Sequence, residues 1–392
     1  MACLTAKEPD QPSFRTLALG VGVYSLSVIL IGLAPLFVGA YVDDYRLTLS
    51  EAGFVQTVDQ AGGVAGAIAS YYLMRPFDWK MLLVISGMIA MLANSATGFV
   101  DTLDALCVVR FLAGFGVTVI MAVSICLLAL SPAPDRTFGI GLAAGTLLSS
   151  AAIWLFHEAQ IGLGPRVGIW STSGWLALAT ALAIMLPAGL GGGRLLAGAG
   201  DPAHGLVPGN AIGRSGLAAL LLFGIGLNIV YGFIERAGIA NGLSSADVAA
   251  ALSIGYLLSA AGSLVPAVFG AEQGRLKWIA ATTLLNVGSV WAVYNAATVT
   301  TATIAFAVFV TGWNMGLAYY MGLIAANDPS ERYTRMMYSA NVAAQSLGPA
   351  ISSLALTHAS LASIFLISPV PLIAAALLVI GIAAAKAKPG RV

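Results

Sequence analysis

The feature that most constrains this chain is its division into apolar stretches about twenty residues long, set apart by short charged or Pro/Gly-containing turns. About 20 mostly apolar residues in a helix cover the roughly 30 Å of hydrocarbon in a bilayer. The stretches fall at 16–41, 51–73, 81–100, 105–130, 138–157 and 170–190, then at 215–237, 247–270, 278–296, 301–326, 337–357 and 363–385. The spacing predicts an all-α polytopic membrane protein with twelve transmembrane helices. The first stretch is too long for a cleavable signal core and reads as a retained first helix.

Composition agrees. Of 392 residues, 59% are hydrophobic and 9% charged, against about 25% charged in a soluble globular chain. So few charges exclude a water-soluble enzyme, and the hydrophobicity excludes intrinsic disorder. A formal net charge of +1 gives no basic face for nucleic acid. The three cysteines, Cys3, Cys107 and Cys126, form no disulfide framework.

The longest polar interval, 191–214, contains Gly-Gly-Gly-Arg194 and His204 and reads as a cytoplasmic linker. It separates an N-terminal six-helix bundle, 1–190, from a C-terminal one, 215–392, and their similar lengths point to an internal duplication. With the N-terminus inside, fourteen of the 18 Lys and Arg residues fall on the cytoplasmic side. Three, Arg46, Arg166 and Arg236, fall outside, and Arg110 lies within a helix. A missed or invented span would destroy this asymmetry downstream of the error, so the bias predicts both termini inside.

A charge at membrane depth costs at least about 2.5–3.5 kcal/mol on insertion scales and needs a reason to be there. Asp59 lies in the second stretch, where Gln56, Asp59, Gln60 and Gly63 share one helix face. Arg110 lies in the fourth. Asn228, Tyr231 and Glu235 mark the seventh, Trp313 and Asn314 the tenth, and Asn341 and Gln345 the eleventh. The third, sixth, ninth and twelfth stretches carry no interior ionisable residue, as expected of four lipid-facing helices shielding a central cavity. Each polar residue has a plainer reading: a hydrogen bond to a neighbouring helix for Asp59, snorkelling for Arg110, and a solvated helix end for Glu235 and Arg236 or for His157 and Glu158.

Arg110-Phe-Leu-Ala-Gly114-Phe-Gly116 resembles the Arg-x-x-x-Gly-x-Gly signature in the fourth helix of the bacterial major facilitator superfamily. Pro134-Asp135-Arg136 and Asp328-Pro329-Ser330-Glu331-Arg332 resemble the acidic–basic turns that the family places before its fifth and eleventh helices, and Gly348-Pro349 is similar to its eleventh-helix pattern. The sequence departs from the family between the second and third stretches, where Arg75, Asp78 and Lys80 stand without the usual Gly-Arg. Gly274-Arg275 keeps only the end of the matching motif, and the Gly-Pro signature of drug antiporters is missing from the fifth stretch. These loop residues are the gate candidates.

The resemblance implies two bundles rocking around a midplane site in the bacterial inner membrane, acting as a monomer without a cofactor. The expected activity is secondary transport of a small organic solute by alternating access, with proton coupling through Asp59. Arg110 would serve as partner of that acid or of an anionic solute. No phosphate-cradling GxxxxGK[ST] loop occurs, so direct ATP hydrolysis is not expected. A polytopic enzyme would need clustered ligands or a nucleophile–base pair, and His157, His204 and His358 are far apart. The remaining alternative is a non-transporting sensor or assembly partner with a transporter fold.

Overall fold

The structure, a computed structural model, describes residues 12–131, 134–164, 166–190, 211–262, 265–269, 274–327 and 332–387. Seventeen α-helices are found among them. The first eight are α1 (Phe14–Gly32), α2 (Ala34–Asp43), α3 (Leu49–Leu73), α4 (Trp79–Thr97), α5 (Leu103–Ala129), α6 (Pro134–Leu163), α7 (Val167–Ser171) and α8 (Ser173–Ile184). The remainder are α9 (Ala211–Tyr231), α10 (Ile234–Ala240), α11 (Ser245–Gly262), α12 (Val265–Phe269), α13 (Arg275–Tyr294), α14 (Val299–Ala326), α15 (Arg332–His358), α16 (Leu361–Ile367) and α17 (Pro369–Ala387). Most of the 191–214 linker, and Asp328, lie outside the described residues.

Each apolar stretch is helical, but several are broken where the sequence removes a backbone donor or loosens the chain. The first stretch splits at Leu33, two residues before Pro35, and the twelfth at Ser368, before Pro369. The sixth breaks at Thr172 and the seventh at Gly232-Phe233. Helix starts follow side-chain chemistry: Thr48 and Glu51 form a capping box on α3, Thr298 and Thr301 do so on α14, and Asp78 and Thr102 cap α4 and α5.

Among the described residues, nine helical segments are long and apolar enough to cross a membrane. The chain is thus an all-α, multi-pass membrane protein. The helices that fall short, α3, α15 and the shorter α11, are the ones that make the main contacts across the molecule: α3 with α15, and α11 with α6. A helix that faces protein rather than lipid can carry Gly, Ser, Gln and Asp. Outward faces present leucines such as Leu92, Leu178, Leu284 and Leu377.

The packing pattern of α1–α8 recurs in α9–α17. In the first set α5 receives α3 and α4, α8 lies against α4 and α1, and α1 packs on α5 and α6. In the second, α14 receives α11 and α13, α17 lies against α13 and α9, and α9 packs on α14 and α15. The sets meet along α3–α15, α6–α11 and α2–α10, an arrangement that also maps onto itself when the sets are exchanged.

Close approach of α3 and α5 rests on glycine. A Cβ on Gly62 would collide with the Phe111 carbonyl, one on Gly66 with the Phe115 carbonyl, and one on Gly114 with the carbonyl of Asp59. Gly116 does the same for α4, at the Ser86 carbonyl and Ala90. Within a bilayer, where apolar burial between helices gains little over lipid, small residues that let backbones touch supply much of the association energy. The Arg-x-x-x-Gly-x-Gly stretch is therefore first a packing surface.

Gly62→Ala is expected to destabilise the purified protein by about 1–3 kcal/mol, because backbone must move to admit the methyl group. Gly288→Ala, on α13 with nothing near its Cβ, should leave the unfolding temperature unchanged or slightly raised. Differential scanning fluorimetry of both variants in detergent checks the pair.

Candidate functional site

The glycine contacts bring the two deepest charges together. Arg110 on α5 is 1% exposed and Asp59 on α3 is 7% exposed. Arg110 Nη2 donates to Asp59 Oδ2 at 3.1 Å, and Nη1 donates to Asn94 Oδ1 on α4 at 2.7 Å. The guanidinium carbon stands 4.9 Å from the centroid of the Phe37 ring on α2, a cation–π contact strengthened by desolvation. Asn94 Nδ2 donates onward to the Ile169 carbonyl at 3.0 Å, Thr172 Oγ1 at 2.8 Å and Ser173 Oγ at 3.0 Å. The buried pair is thereby tied to the break between α7 and α8.

The turns at 44–48 and 98–102 and residue Arg166 gather at one end of the molecule, called distal here. There the Tyr45 hydroxyl donates to the Thr97 carbonyl, and Arg166 donates from its backbone N–H to Asp44 and from Nη1 to Asp101. The turn at 74–78 and residues 189–190 meet at the opposite, proximal end. Asp78 accepts from the N–H of Lys80 at 2.8 Å and from that of Gly189, and the N–H of Trp79 donates to the Leu190 carbonyl at 2.9 Å. Asp78 thus works as a helix cap and inter-loop tie. Arg75 donates to the Tyr71 hydroxyl at 2.8 Å. Gly274 has φ +90°, which suits glycine alone, and hands the chain to Arg275 at the start of α13. Asp135, Arg136 and Arg332 lie in the first turns of α6 and α15.

Polar groups link the two helix sets in three ways. First, Arg236 on α10 is held by its neighbour Glu235, at 2.5 Å from Nε and 2.7 Å from Nη2, and reaches Asp43 at the end of α2 with two bonds of 2.8 and 2.7 Å. Glu235 is 4% exposed, so the solvated helix-end reading is overturned: the charges are buried and paired where α10 meets Gly39 of α2. Second, the Tyr231 hydroxyl lies 3.0 Å from the Ile31 carbonyl, 3.2 Å from the Gly32 carbonyl and 2.5 Å from the Tyr256 hydroxyl. Pro35 has no N–H to offer Ile31 four residues earlier, and Tyr231 satisfies the carbonyl that the proline leaves free.

The third link is a pair of serine clasps. Ser50 Oγ donates to the Ser353 carbonyl at 2.8 Å, and Ser353 Oγ returns a bond to the Ser50 carbonyl at 2.8 Å. Ser150 and Ser253 repeat the arrangement between α6 and α11, at 2.9 and 2.8 Å. The Ser50–Ser353 clasp lies at the start of α3 and the Ser150–Ser253 clasp midway along α11, so the two matching interfaces are tied at different depths.

The remaining predicted residues divide. Gln56 and Gln345 are buried and Gln60 and Asn341 partly buried on α3 and α15, which meet between the sets, and Trp313 is partly buried on α14. Trp313 sets its edge against Tyr231 at 5.1 Å and Phe309 at 6.0 Å. Asn314 is partly buried on α14. Asn228 bonds back to the Gly224 carbonyl and packs on Gly348, so it serves the contact between α9 and α15. His157 is buried and Glu158 exposed. Sequence reasoning missed Asn94, because it searched the third stretch for ionisable groups only. It also missed Asp43, Tyr256 and the clasp serines, which carry no signal until the helices are paired in space. Among the described residues, no group of His, Cys, Asp and Glu is placed to hold a metal ion.

The sequence matches no known family profile and no curated protein, but the fold is shared with solved transporters. The nucleoside transporter NupG, in a single-residue variant form, superposes with a TM-score of 0.78 at 12% identity, over 94% of this chain and 99% of that one. A second NupG structure gives 0.74 at 13% identity, covering 94% and 99%. An auto-inhibited peptide transporter of the POT family gives 0.70 at 12% identity, covering 96% and 98%. The chain shares its fold with these three structures, each of a transporter.

Removing one member of the buried pair leaves the other charged and alone, at a cost of about 3–5 kcal/mol. Asp59→Leu and Arg110→Met should each lower thermal stability sharply, and the double variant should recover most of the loss. Unfolding temperatures of the three proteins form the double-mutant cycle, and additive losses would show that the pair is not coupled.

Proposed function

We propose that the chain is a secondary active transporter of a small organic solute, working by alternating access and coupled to protons. The reading takes twelve spans in two bundles, 1–190 and 215–392, joined by the 191–214 linker. The proximal end faces the cytoplasm of a bacterial cell, and the protein acts as a monomer in the inner membrane. The positive-charge asymmetry and the repeated packing pattern support this arrangement.

The observation that carries the proposal is the chemistry of the contacts between the helix sets. They include the Ser50–Ser353 and Ser150–Ser253 clasps, the Tyr231 bond to the α1–α2 break and the Arg236–Asp43 pair. Each such hydrogen bond contributes a net of about 0.5–1.5 kcal/mol and can be exchanged for one to water. Apolar contacts lie beside these bonds, Phe233 on Gly53 and Val38 on Gly232, and part with them when the interface opens.

Coupling falls to Asp59. Proton uptake neutralises the carboxylate, dissolves the ion pair, and leaves Arg110 held by Asn94 and free to follow a different helix arrangement. Amides and aromatics between the sets, Gln60, Tyr231, Trp313, Asn341 and Gln345, offer stacking and hydrogen bonding to a solute of modest size. The likeness to NupG makes nucleosides a first class to screen, with organic acids beside them because of Arg110.

A thermal-shift screen identifies the solute, and proteoliposomes under an imposed pH gradient then test the coupling. Flux should follow the gradient, and Asp59→Asn should blunt that response while exchange at equal pH continues. Flux indifferent to the gradient would leave facilitated diffusion, and a bound solute that never crosses would favour the sensor reading. Access is tested separately with Gln60→Cys in a chain whose three native cysteines are replaced by serine. Adding Ser50→Ala and Ser253→Ala should increase labelling of that cysteine several-fold by an impermeant thiol reagent applied from the distal side.

A further inference from the structure

Arg236 holds two carboxylates at once. Its Nε and Nη2 donate to Glu235 at 2.5 and 2.7 Å, and its Nη1 and Nη2 donate to Asp43 at 2.8 and 2.7 Å. Both edges of the guanidinium fork are filled by paired bonds, the firmest way an arginine meets an acid. In other respects the two acids differ. Glu235 is the neighbour of Arg236 on α10, with a side chain 5% exposed. Asp43 ends α2 in the other helix set, with a side chain 57% exposed. Glu235 reaches this place because α2 offers it a glycine: a Cβ on Gly39 would stand 2.5 Å from Glu235 Oε2.

Two carboxylates on one guanidinium leave the group net negative, and like charges that share a site repel. A bond made across the sets by Arg236 and Asp43 alone would face no such opposition, and breaking it would strand a mostly buried arginine. With Glu235 present the balance changes in two ways. Asp43 is held against a second acid, and Arg236 keeps a counter-ion from its own helix when Asp43 leaves for water.

We propose that Glu235 is a positioning residue that makes the Arg236–Asp43 pair releasable. Asp43 holds the distal side closed, and Glu235 competes with it for Arg236. Two acids on one arginine therefore bias opening in opposite directions. The inference rests on the reading that the sets part at the distal end.

The test uses the full chain in liposomes, with its three native cysteines replaced by serine and Gln60→Cys as reporter, labelled by an impermeant thiol reagent from the distal side. Asp43→Asn should raise the labelling rate several-fold. Glu235→Gln should lower it several-fold below that of the reporter chain, although it too weakens a partner of Arg236. Glu235→Asp, which draws the carboxylate back by one methylene, should shift the rate the same way and serves if Glu235→Gln does not fold. The double variant Glu235→Gln/Arg236→Gln should label as fast as Asp43→Asn, because Glu235 acts through the arginine. A faster or unchanged rate in the Glu235 variant would overturn the proposal. So would an unchanged rate in Asp43→Asn, or a double variant slower than the reporter chain. No solute or gradient enters the measurement, so opposite shifts in a chain that moves no solute would end the transport reading and leave this one standing.

Discussion

In hydrocarbon every charge and every backbone carbonyl must find its partner within the protein, and this constraint organises the structure. Arg110 can lie buried within α5 only because Asp59 and Asn94 face it and Phe37 lies beneath it. These partners are within reach only because Gly62, Gly66 and Gly114 let α3 and α5 approach to backbone contact. A single methyl group on Gly114 would act on packing and on the ion pair together. The fourth-helix signature is thus one device with two ends, an arginine and the glycines that bring its acid to it.

The same constraint explains the broken helices. A proline in a spanning helix frees a carbonyl four residues earlier, and in lipid that carbonyl must be claimed by something. In the first stretch the claimant is Tyr231, from the other helix set. A local defect in α1–α2 has thereby become a contact across the molecule. Asn94 plays a comparable part for the Ile169 carbonyl at the α7–α8 break, and also holds Arg110. Breaks, buried charges and contacts between the sets form one connected polar system.

Much of this is legible in the amino-acid sequence. Segment length and hydropathy locate the helices, and a charge inside an apolar run singles out Arg110 and Asp59, since either alone would be too costly to keep. The pairings stay hidden. Nothing in Val108-Val109-Arg110 or Thr57-Val58-Asp59 says that these two residues face each other, because they sit on different helices 51 positions apart. Glu235 and Arg236 mislead for a related reason. A charge at the end of an apolar run is usually solvated, and only the approach of Asp43 and Gly39 buries this one. The serine clasps are invisible because isolated serines are common in membrane helices and gain meaning only in reciprocal pairs.

Polar links between the sets stand among apolar ones such as Phe233 on Gly53 and Val38 on Gly232. Leucine zippers along α3–α15 and α6–α11 would have bound the sets as tightly as each set is bound within itself. Hydroxyl–carbonyl clasps do something different: they are specific in register, small in net energy, and replaceable by water. One clasp lies at the start of α3 and the other midway along α11, so each interface carries an exchangeable tie at its own depth. The tightest backbone contacts at glycine lie inside a set, as between α3 and α5 or α4 and α5, while Gly53 and Gly232 also receive side chains from the other set. Tighter backbone packing within a set than between the sets is what a molecule needs if its two parts are to move against each other as bodies.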